Sequence, residues 1–304
     1  MPKVKVYLSG GLGNQLFQLA AGLFLSNSKL LTLDSSYGNP RINSDGSPQI
    51  ADFELPTEVN FCHSRRGKVS TSGFAFLLRL SSHGKIGLIP RLLFKVFNTS
   101  KSPLPFLNNG VGFDEGLHLI RNKKSFLGCF HTFRWPDHET VKSKLQKLDI
   151  SDEPEWLKNL YQISTVEKPL VIHIRKGDYK SIQNLNILNL DYYIRGIAIL
   201  KAGFPDSRLW IFSDDFESVK DFFPEHILSE ARLIDYESFN SAANLQAMRL
   251  GHGYLIANST YSWWGAYLSY SSSPLVLYPS TYFADSNSPR DLYPEYWTQL
   301  EVLL

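Results

Sequence analysis

The sequence predicts an α/β protein with two nucleotide-type domains, each a parallel sheet flanked by helices. Three observations carry that prediction. Short apolar, β-branched runs alternate with helix-length segments, the signature of βαβ units. Each half holds a turn of small or hydroxyl residues between a strand and a helix, where a backbone can cradle a ligand. The 304 residues suffice for one large or two medium domains, and 43% hydrophobic content excludes disorder as the dominant state.

The first strand is expected from Lys3 to Leu8, followed by a glycine turn, a helix from about Asn14 and a strand at Leu30–Leu33. From Val59 to Phe113 there is no Asp or Glu, yet Arg65, Arg66, Lys68, Arg79, Lys85, Arg91, Lys95 and Lys101 all fall there. Apolar runs between those cations read either as core helices with charged flanks or as an amphipathic basic surface for anionic lipid or an anionic acceptor. The segment Asp137 to Lys168, charged and punctuated by proline, is expected to be the crossover between domains 1–150 and 151–304. Beyond it, strands are expected at Leu170–Ile174, Leu209–Phe212, Arg232–Ile234, Tyr254–Ala257 and Leu275–Tyr278. Helices are expected between them at Asp191–Ala202, Phe216–Phe223, Asn240–Leu250 and Tyr261–Ser269.

Charge and cysteine usage narrow the function classes. Thirty-one Lys and Arg against 29 Asp and Glu give a net charge of +2, too balanced for a protein whose main partner is nucleic acid. Cys62 and Cys129 cannot build a disulfide scaffold, and read as buried thiols in a reducing compartment. No signal peptide or membrane span stands out, so a soluble, cytosolic protein is expected.

Four segments stand at strand ends, where open α/β sheets bind ligands. In Ser9-Gly10-Gly11-Leu12-Gly13-Asn14-Gln15, Gly11 and Gly13 let a ligand approach the backbone. Asn14 and Gln15 add amides that could bind sugar hydroxyls or merely cap the helix. The dinucleotide fingerprint fails, because its third glycine would fall at Leu16. In His173-Ile174-Arg175-Lys176-Gly177-Asp178, alternation puts His173 and Arg175 on one strand face. A guanidinium can clasp a diphosphate, Lys176 adds a point charge, and Asp178 could be a general base or pair with the cations. Asp214 and Asp215 could bind a metal, a purine or a ribose, or cap the next helix. No Asp-x-Asp and no His/Cys cluster occurs, which argues against an obligatory metal. Ser259, Thr260, Tyr261 and Ser262 open a helix and make a second anion cradle, while Trp263 and Trp264 read as core. One cradle per half and a cation-bearing strand end describe a cleft between two domains.

Together these segments resemble glycosyltransferase family 11, the α-1,2-fucosyltransferases. Gly-Gly-Leu-Gly-Asn-Gln-Leu-Phe-Gln is similar to the family's opening signature. His-Ile-Arg-Lys-Gly-Asp-Tyr resembles its His-x-Arg-Arg-Gly-Asp-Tyr motif, with Lys176 replacing the second arginine. Ser-Asp-Asp and Asn-Ser-Thr-Tyr-Ser-Trp-Trp-Gly follow in order, Gly128-Cys129-Phe130-His131-Thr132 resembles a diverged Gly-Tyr-Phe-Gln-Ser segment, and Tyr293-Pro294-Glu295-Tyr296-Trp297 resembles the closing Pro-x-x-Trp.

The resemblance implies a GT-B fold, two Rossmann-like domains facing across a cleft, with an acceptor-side domain at 1–150 and a GDP-fucose-binding domain at 151–304. It implies metal-independent, inverting transfer of L-fucose from GDP-β-L-fucose to the 2-hydroxyl of a terminal galactose-type residue, with no cofactor beyond that donor substrate. The acceptor would be an O-antigen or capsule precursor, free or lipid-linked, and a lipid-linked one would suit a peripheral inner-membrane contact through Arg65 to Lys101. Arg175 would hold the diphosphate with His173 beside the nucleotide, Asp215 would contact guanine or ribose, and Thr260, Tyr261 and Ser262 would receive phosphate. Asn14 would reach the fucose or the reacting hydroxyl. The rivals are a GT-B transferase of different donor or linkage, and a non-catalytic nucleotide- or glycan-binding module.

Overall fold

The computed structural model describes residues 4–27, 29–36, 40–62, 106–108, 125–177, 185, 188–235, 240–284 and 291–303. The chain divides into two compact units. One comprises Met1–Leu148 with Pro289–Leu292, the other Asp149–Ser288 with Tyr293–Leu304.

The first unit is built on a five-stranded, wholly parallel sheet. Its strands are β1 (Val4–Tyr7), β2 (Leu31–Asp34), β3 (Val59–Cys62), β4 (Phe106–Asn108) and β5 (Ser125–Gly128), in the order β3-β2-β1-β5-β4. Helix α1 (Leu12–Ser26) begins two residues before the expected Asn14 and is apolar almost all round, so Leu16, Phe17, Leu19, Ala20 and Ala21 are fully buried. A helix apolar on every side belongs inside a core rather than on a surface. It stops at Asn27, whose left-handed backbone (φ 47°) forms the C-cap. The expected interdomain crossover holds two helices, α2 (Glu139–Leu145) and α3 (Glu155–Glu167), and the division between units falls between them.

The second unit has a six-stranded parallel sheet: β6 (Leu170–Ile174), β7 (Leu209–Ser213), β8 (Ala231–Leu233), β9 (Gly253–Leu255), β10 (Leu275–Pro279) and β11 (Thr298–Leu300). Their order is β11-β10-β9-β6-β7-β8. Counted from β6, this is the 3-2-1-4-5-6 arrangement of dinucleotide-binding sheets. All five residues of β6 are buried, as befits a central parallel strand covered on both faces. The crossovers carry α4 (Leu190–Gly203), α5 (Phe216–Phe222), α6 (Glu225–Glu230), α7 (Ser241–Met248) and α8 (Thr260–Tyr267). Leu170, Ile172 and Ile174 of β6, Ile211 of β7, Leu255 of β9 and Leu277 of β10 pack against Tyr193, Ile197 and Leu200 of α4 in one apolar cluster. The α6 helix and β11 have no counterpart in the sequence reading. Among the described residues no helix is long and apolar enough to cross a membrane.

Candidate functional site

In the second sheet the strand order reverses between β6 and β9, so the crevice for a ligand opens at their carboxyl ends. β6 runs into Arg175, Lys176 and Gly177. The Asp214 carboxylate, just past β7, organises that turn. Its Oδ1 accepts the Lys176 and Gly177 amides at 3.0 and 3.1 Å, and its Oδ2 lies 3.2 Å from Arg175 Nε. This contact engages the Nε edge of the guanidinium and orients the group. Gly177 is required by the same carboxylate, because a Cβ there would meet Asp214 Oδ2 at 2.6 Å.

The adjacent Asp215 has a different task. Its Oδ1 accepts the Ser218 amide at 3.0 Å and its Oδ2 the Ser218 hydroxyl at 2.6 Å, so it is the N-cap of α5, one of the roles the sequence left open. The Lys176 ammonium lies 4.4 Å from the centroid of the Phe222 ring and donates to the Leu188 carbonyl at 3.4 Å.

Across the reversal, β9 leads through Asn258 and Ser259 into α8. Asn258 Nδ2 donates to the carbonyls of Leu185 and Tyr282 at 3.0 and 2.9 Å, and Tyr192 donates to the Ile256 carbonyl at 2.8 Å, which fixes the approach to the helix. Ser259 caps α8, its Oγ accepting the Tyr261 amide at 3.3 Å. The buried Ser262 hydroxyl donates back to the Ser259 carbonyl. Thr260 and Tyr261 stand at the positive end of the helix, partly exposed. The Tyr261 hydroxyl donates to the Ser241 carbonyl at 2.7 Å, and burial pushes its pKa up while the nearby Arg175 charge opposes that shift. Arg175 and the amino end of α8 thus meet at one switch point.

His173, expected beside the nucleotide, is only 2% exposed, with its ring centroid 6.1 Å from that of Tyr261. Among the described residues its buried Nδ1 has no hydrogen-bond partner. Burial, reinforced by the Arg175 charge, holds the ring well below the usual imidazole range, so it is neutral at pH 7. Trp263 and Trp264 are core, as the sequence suggested, at 1% and 0% exposure.

A polar cluster behind α8 had no signal in the sequence. Arg249, 2% exposed, donates from Nε to the Leu268 carbonyl at 2.9 Å and from Nη1 to Gln246 Oε1 at 2.5 Å. Gln246 in turn donates to Asp149 Oδ1 at 2.6 Å. The cluster pins the carboxyl end of α8, and so the aim of its amino end.

The first sheet reverses between β1 and β5. Here the glycine turn is closed by its own chain. The Leu12 amide is capped by Gln49 Oε1 at 3.0 Å, and the Asn14 amide turns back to the Gly11 carbonyl at 3.0 Å. The turn is therefore no open anion cradle. Gly11 lies against the Arg41 side chain and Gly13 is buried in the first turn of α1. Gln15, expected at the substrate, is fully buried. It donates to the Gly10 and Arg41 carbonyls at 3.0 Å each and accepts the Ile50 amide at 2.9 Å. Gln18 is a second such tie, accepting the Ser9 amide at 2.9 Å and donating to Ser9 Oγ at 2.7 Å and the Gly128 carbonyl at 2.9 Å. It joins the ends of β1 and β5 through α1.

What remains at this reversal is Asn14 with His131, of which the sequence reading gave a role to Asn14 alone. His131 Nε2 lies 3.1 Å from Asn14 Oδ1, and burial pushes the imidazole down to about 4. Cys62 and Cys129 are free thiols of intermediate exposure rather than fully buried, and desolvation pushes Cys129 up to about 11. Asp178 and the basic stretch Arg65 to Lys101 lie outside the described residues. Among the described residues no group of three or more His, Cys, Asp and Glu side chains converges as a metal site would require.

A sequence profile of glycosyl transferase family 11 matches residues 138–301. The chain is similar to the O-antigen biosynthesis glycosyltransferase WbnK of Escherichia coli, with 28% identity over 96% of this chain and 99% of that one. It is also similar to an α-1,2-colitosyltransferase of Escherichia coli, at 26% identity over 99% and 100% of the two chains. Among solved structures, the fucosyltransferase NodZ from Bradyrhizobium superposes with a TM-score of 0.51 at 12% identity, covering 88% of this chain and 93% of that one. That likeness speaks for the fold, which is of the GT-B type.

Proposed function

The chain belongs to glycosyl transferase family 11, and on that premise we propose that it transfers L-fucose from GDP-β-L-fucose, with inversion, to the 2-hydroxyl of a galactose-type terminus on an O-antigen-type glycan precursor. The observation that carries this reading is the pairing of Arg175 with the amino end of α8 at the strand-order reversal of the second sheet. A diphosphate fits there for two reasons. The guanidinium is aimed by Asp214, and the helix end adds partial positive charge without a mobile ion. Residues 151–304 would then be the donor-binding part and residues 1–150 the acceptor side.

The chemistry follows from charge. Breaking the sugar–phosphate bond leaves positive charge on the ring and negative charge on the departing GDP. Donors already fixed by Asp214 and Ser259 stabilise that charge without reorganising, so losing Arg175 should cost about 3 kcal/mol of barrier. No metal is needed for this step. His173, neutral and buried, adds no charge there. The acceptor proton goes to Asp178 or to the departing diphosphate. Asn14, a neutral amide beside a closed glycine turn, suits sugar hydroxyls better than an anion.

A second reading changes the donor sugar. The α-1,2-colitosyltransferase relative favours colitose, which differs from fucose by lacking the 3-hydroxyl. The working site is cytoplasmic in either case, with a peripheral membrane contact through Arg65 to Lys101 if the acceptor is lipid-linked. Sedimentation with anionic and neutral liposomes tests that contact, and equal recovery from both would exclude it.

The decisive assay follows GDP release from GDP-fucose, GDP-colitose, GDP-mannose and UDP-galactose, with and without lactose, in the presence of EDTA. Lactose-stimulated release from GDP-fucose alone supports the first reading, and preference for GDP-colitose the second. GDP binding without turnover of any donor would favour a binding module, and indifference to the guanine base would overturn both readings.

A further inference from the structure

The first unit presents a side chain that acts on Asn14 from a distant part of the sequence. Asn14 stands in the first turn of α1 and His131 lies just past β5, 117 residues later, yet His131 Nε2 and Asn14 Oδ1 are 3.1 Å apart. The strand-order reversal of the first sheet is what brings them together, since β1 and β5 are neighbours.

Several features hold this contact in one geometry. Phe130, fully buried, has φ 57°, a left-handed backbone that a bulky residue adopts only when its surroundings force it. That reversal of the chain sets the direction of the next residue, His131. The His131 ring packs edge-on against Phe17 of α1, with centroids 5.4 Å apart. On the other side, Gly10 lies under the Asn14 amide: a Cβ there would clash with Asn14 Nδ2. Gln18 ties Ser9 to Gly128 and so fixes the spacing of the two strand ends that carry the pair.

The carboxamide of an asparagine can flip, exchanging a donor for an acceptor, and a ligand that needs one loses affinity when it meets the other. We propose that His131 is a positioning residue that donates its Nε2–H to Asn14 Oδ1, locking the carboxamide so that its NH2 end has one fixed place over Gly10 at the acceptor side of the transfer. The imidazole is neutral at working pH because it is desolvated, so a single tautomer, protonated at Nε2, is the one the contact selects. This inference rests on the transferase reading only for the step at which Asn14 acts. The lock itself is a property of the free protein.

Two measurements test it separately. In the free protein, 15N NMR of the histidine rings should find His131 protonated at Nε2 and bare at Nδ1, and Asn14→Ala should shift the His131 Nε2 signal. A ring protonated at Nδ1, or one blind to Asn14→Ala, overturns the proposal whether or not the protein turns over GDP-fucose. With GDP-fucose and lactose as probes, His131→Ala should lower kcat about tenfold with little change in the KM for donor, as loss of one orienting hydrogen bond predicts. His131→Gln, which can offer an amide N–H to the same oxygen, should recover most of that loss. The double variant Asn14→Ala/His131→Ala should be no worse than Asn14→Ala alone. Independent, multiplicative losses, or a His131→Gln protein as poor as His131→Ala, would overturn it. A wild-type protein with no turnover on any donor would sink the transferase reading and leave the NMR result to judge the lock.

Discussion

Adding one methyl group at Gly177 should damage the turn that follows β6 as much as deleting the Asp214 carboxylate. The ideal Cβ would sit 2.6 Å from Asp214 Oδ2, 3.0 Å from its Cγ and 3.4 Å from its backbone oxygen. A flexible side chain could swing away cheaply, but this one is held by the Lys176 and Gly177 amides and by Arg175. Moving it forfeits two charge-assisted hydrogen bonds and an ion pair. Each hydrogen bond to a charged group is worth about 1.5–3 kcal/mol, and the lower end applies where water can substitute. The Asp214 side chain is 20% exposed, so Gly177→Ala should cost about 2–3 kcal/mol. Asp214→Ala should cost a similar amount. Because the added methyl clashes with the very group that Asp214→Ala removes, the double variant should be no less stable than Asp214→Ala alone. Urea titrations of the four proteins give the cycle, and calorimetric titration with GDP follows the disorder of Arg175 as weakened binding. A Gly177→Ala protein within about 0.5 kcal/mol of wild type, or strictly additive losses, would refute the clamp.

Other perturbations have outcomes as definite. Gln18→Leu leaves the Ser9 amide and the Gly128 carbonyl without their side-chain partner between β1, α1 and β5, and urea unfolding should report a loss of about 2–4 kcal/mol. His131 is depressed to about 4 in the fold against about 6.5 unfolded, so as pH falls through 6.5 the unfolded chain gains the proton first and stability drops. Between pH 7 and 5 that amounts to about 2 kcal/mol, which His131→Gln should remove from the pH dependence. Glu167, held down to about 2 by Arg232, Trp210 and Arg208, contributes stability that is present above its unfolded value of about 4.5 and lost as pH falls toward 2. Partial solvent access limits it to about 1–2 kcal/mol, and Glu167→Gln should flatten the acid limb of the melting temperature by that much. Arg175→Lys keeps the charge but loses the planar fork, and should lower kcat about a hundredfold while Tm changes little.

The second unit was legible because its central strands are buried on both faces. Leu170–Ile174, apolar but for His173, and Leu209–Phe212 read as buried strands, and their ends announce themselves in polar residues. The first unit was legible only to β2. β3 shows an intermediate-to-exposed edge, and β5 has only four residues, paired with a strand 120 positions earlier. No local pattern encodes that pairing. Within the site, sequence placed Arg175, Ser259 and Asn14 at strand ends but could not divide labour between Asp214 and Asp215. Adjacent carboxylates point to opposite sides, and which one clamps the turn depends on how β7 lies beside β6. The destination of Lys176 was hidden for the same reason, since Phe222 belongs to a helix three elements later. Gln15 reads in the sequence as a sugar-binding or capping amide and Gln18 carries no signal at all, although α1 lacks a polar face on which to display either.

The path of the chain limits how its specificity can be exchanged. The backbone passes from the first unit to the second at Leu148, returns for Pro289–Leu292, and leaves again at Tyr293. The short return is not idle, because Phe133 donates its amide to the Asp291 carbonyl at 2.8 Å. A hybrid enzyme spliced once near residue 148 would therefore take its first unit from one parent and that unit's final clasp from the other. Shuffling the two units between relatives calls for three joints rather than one.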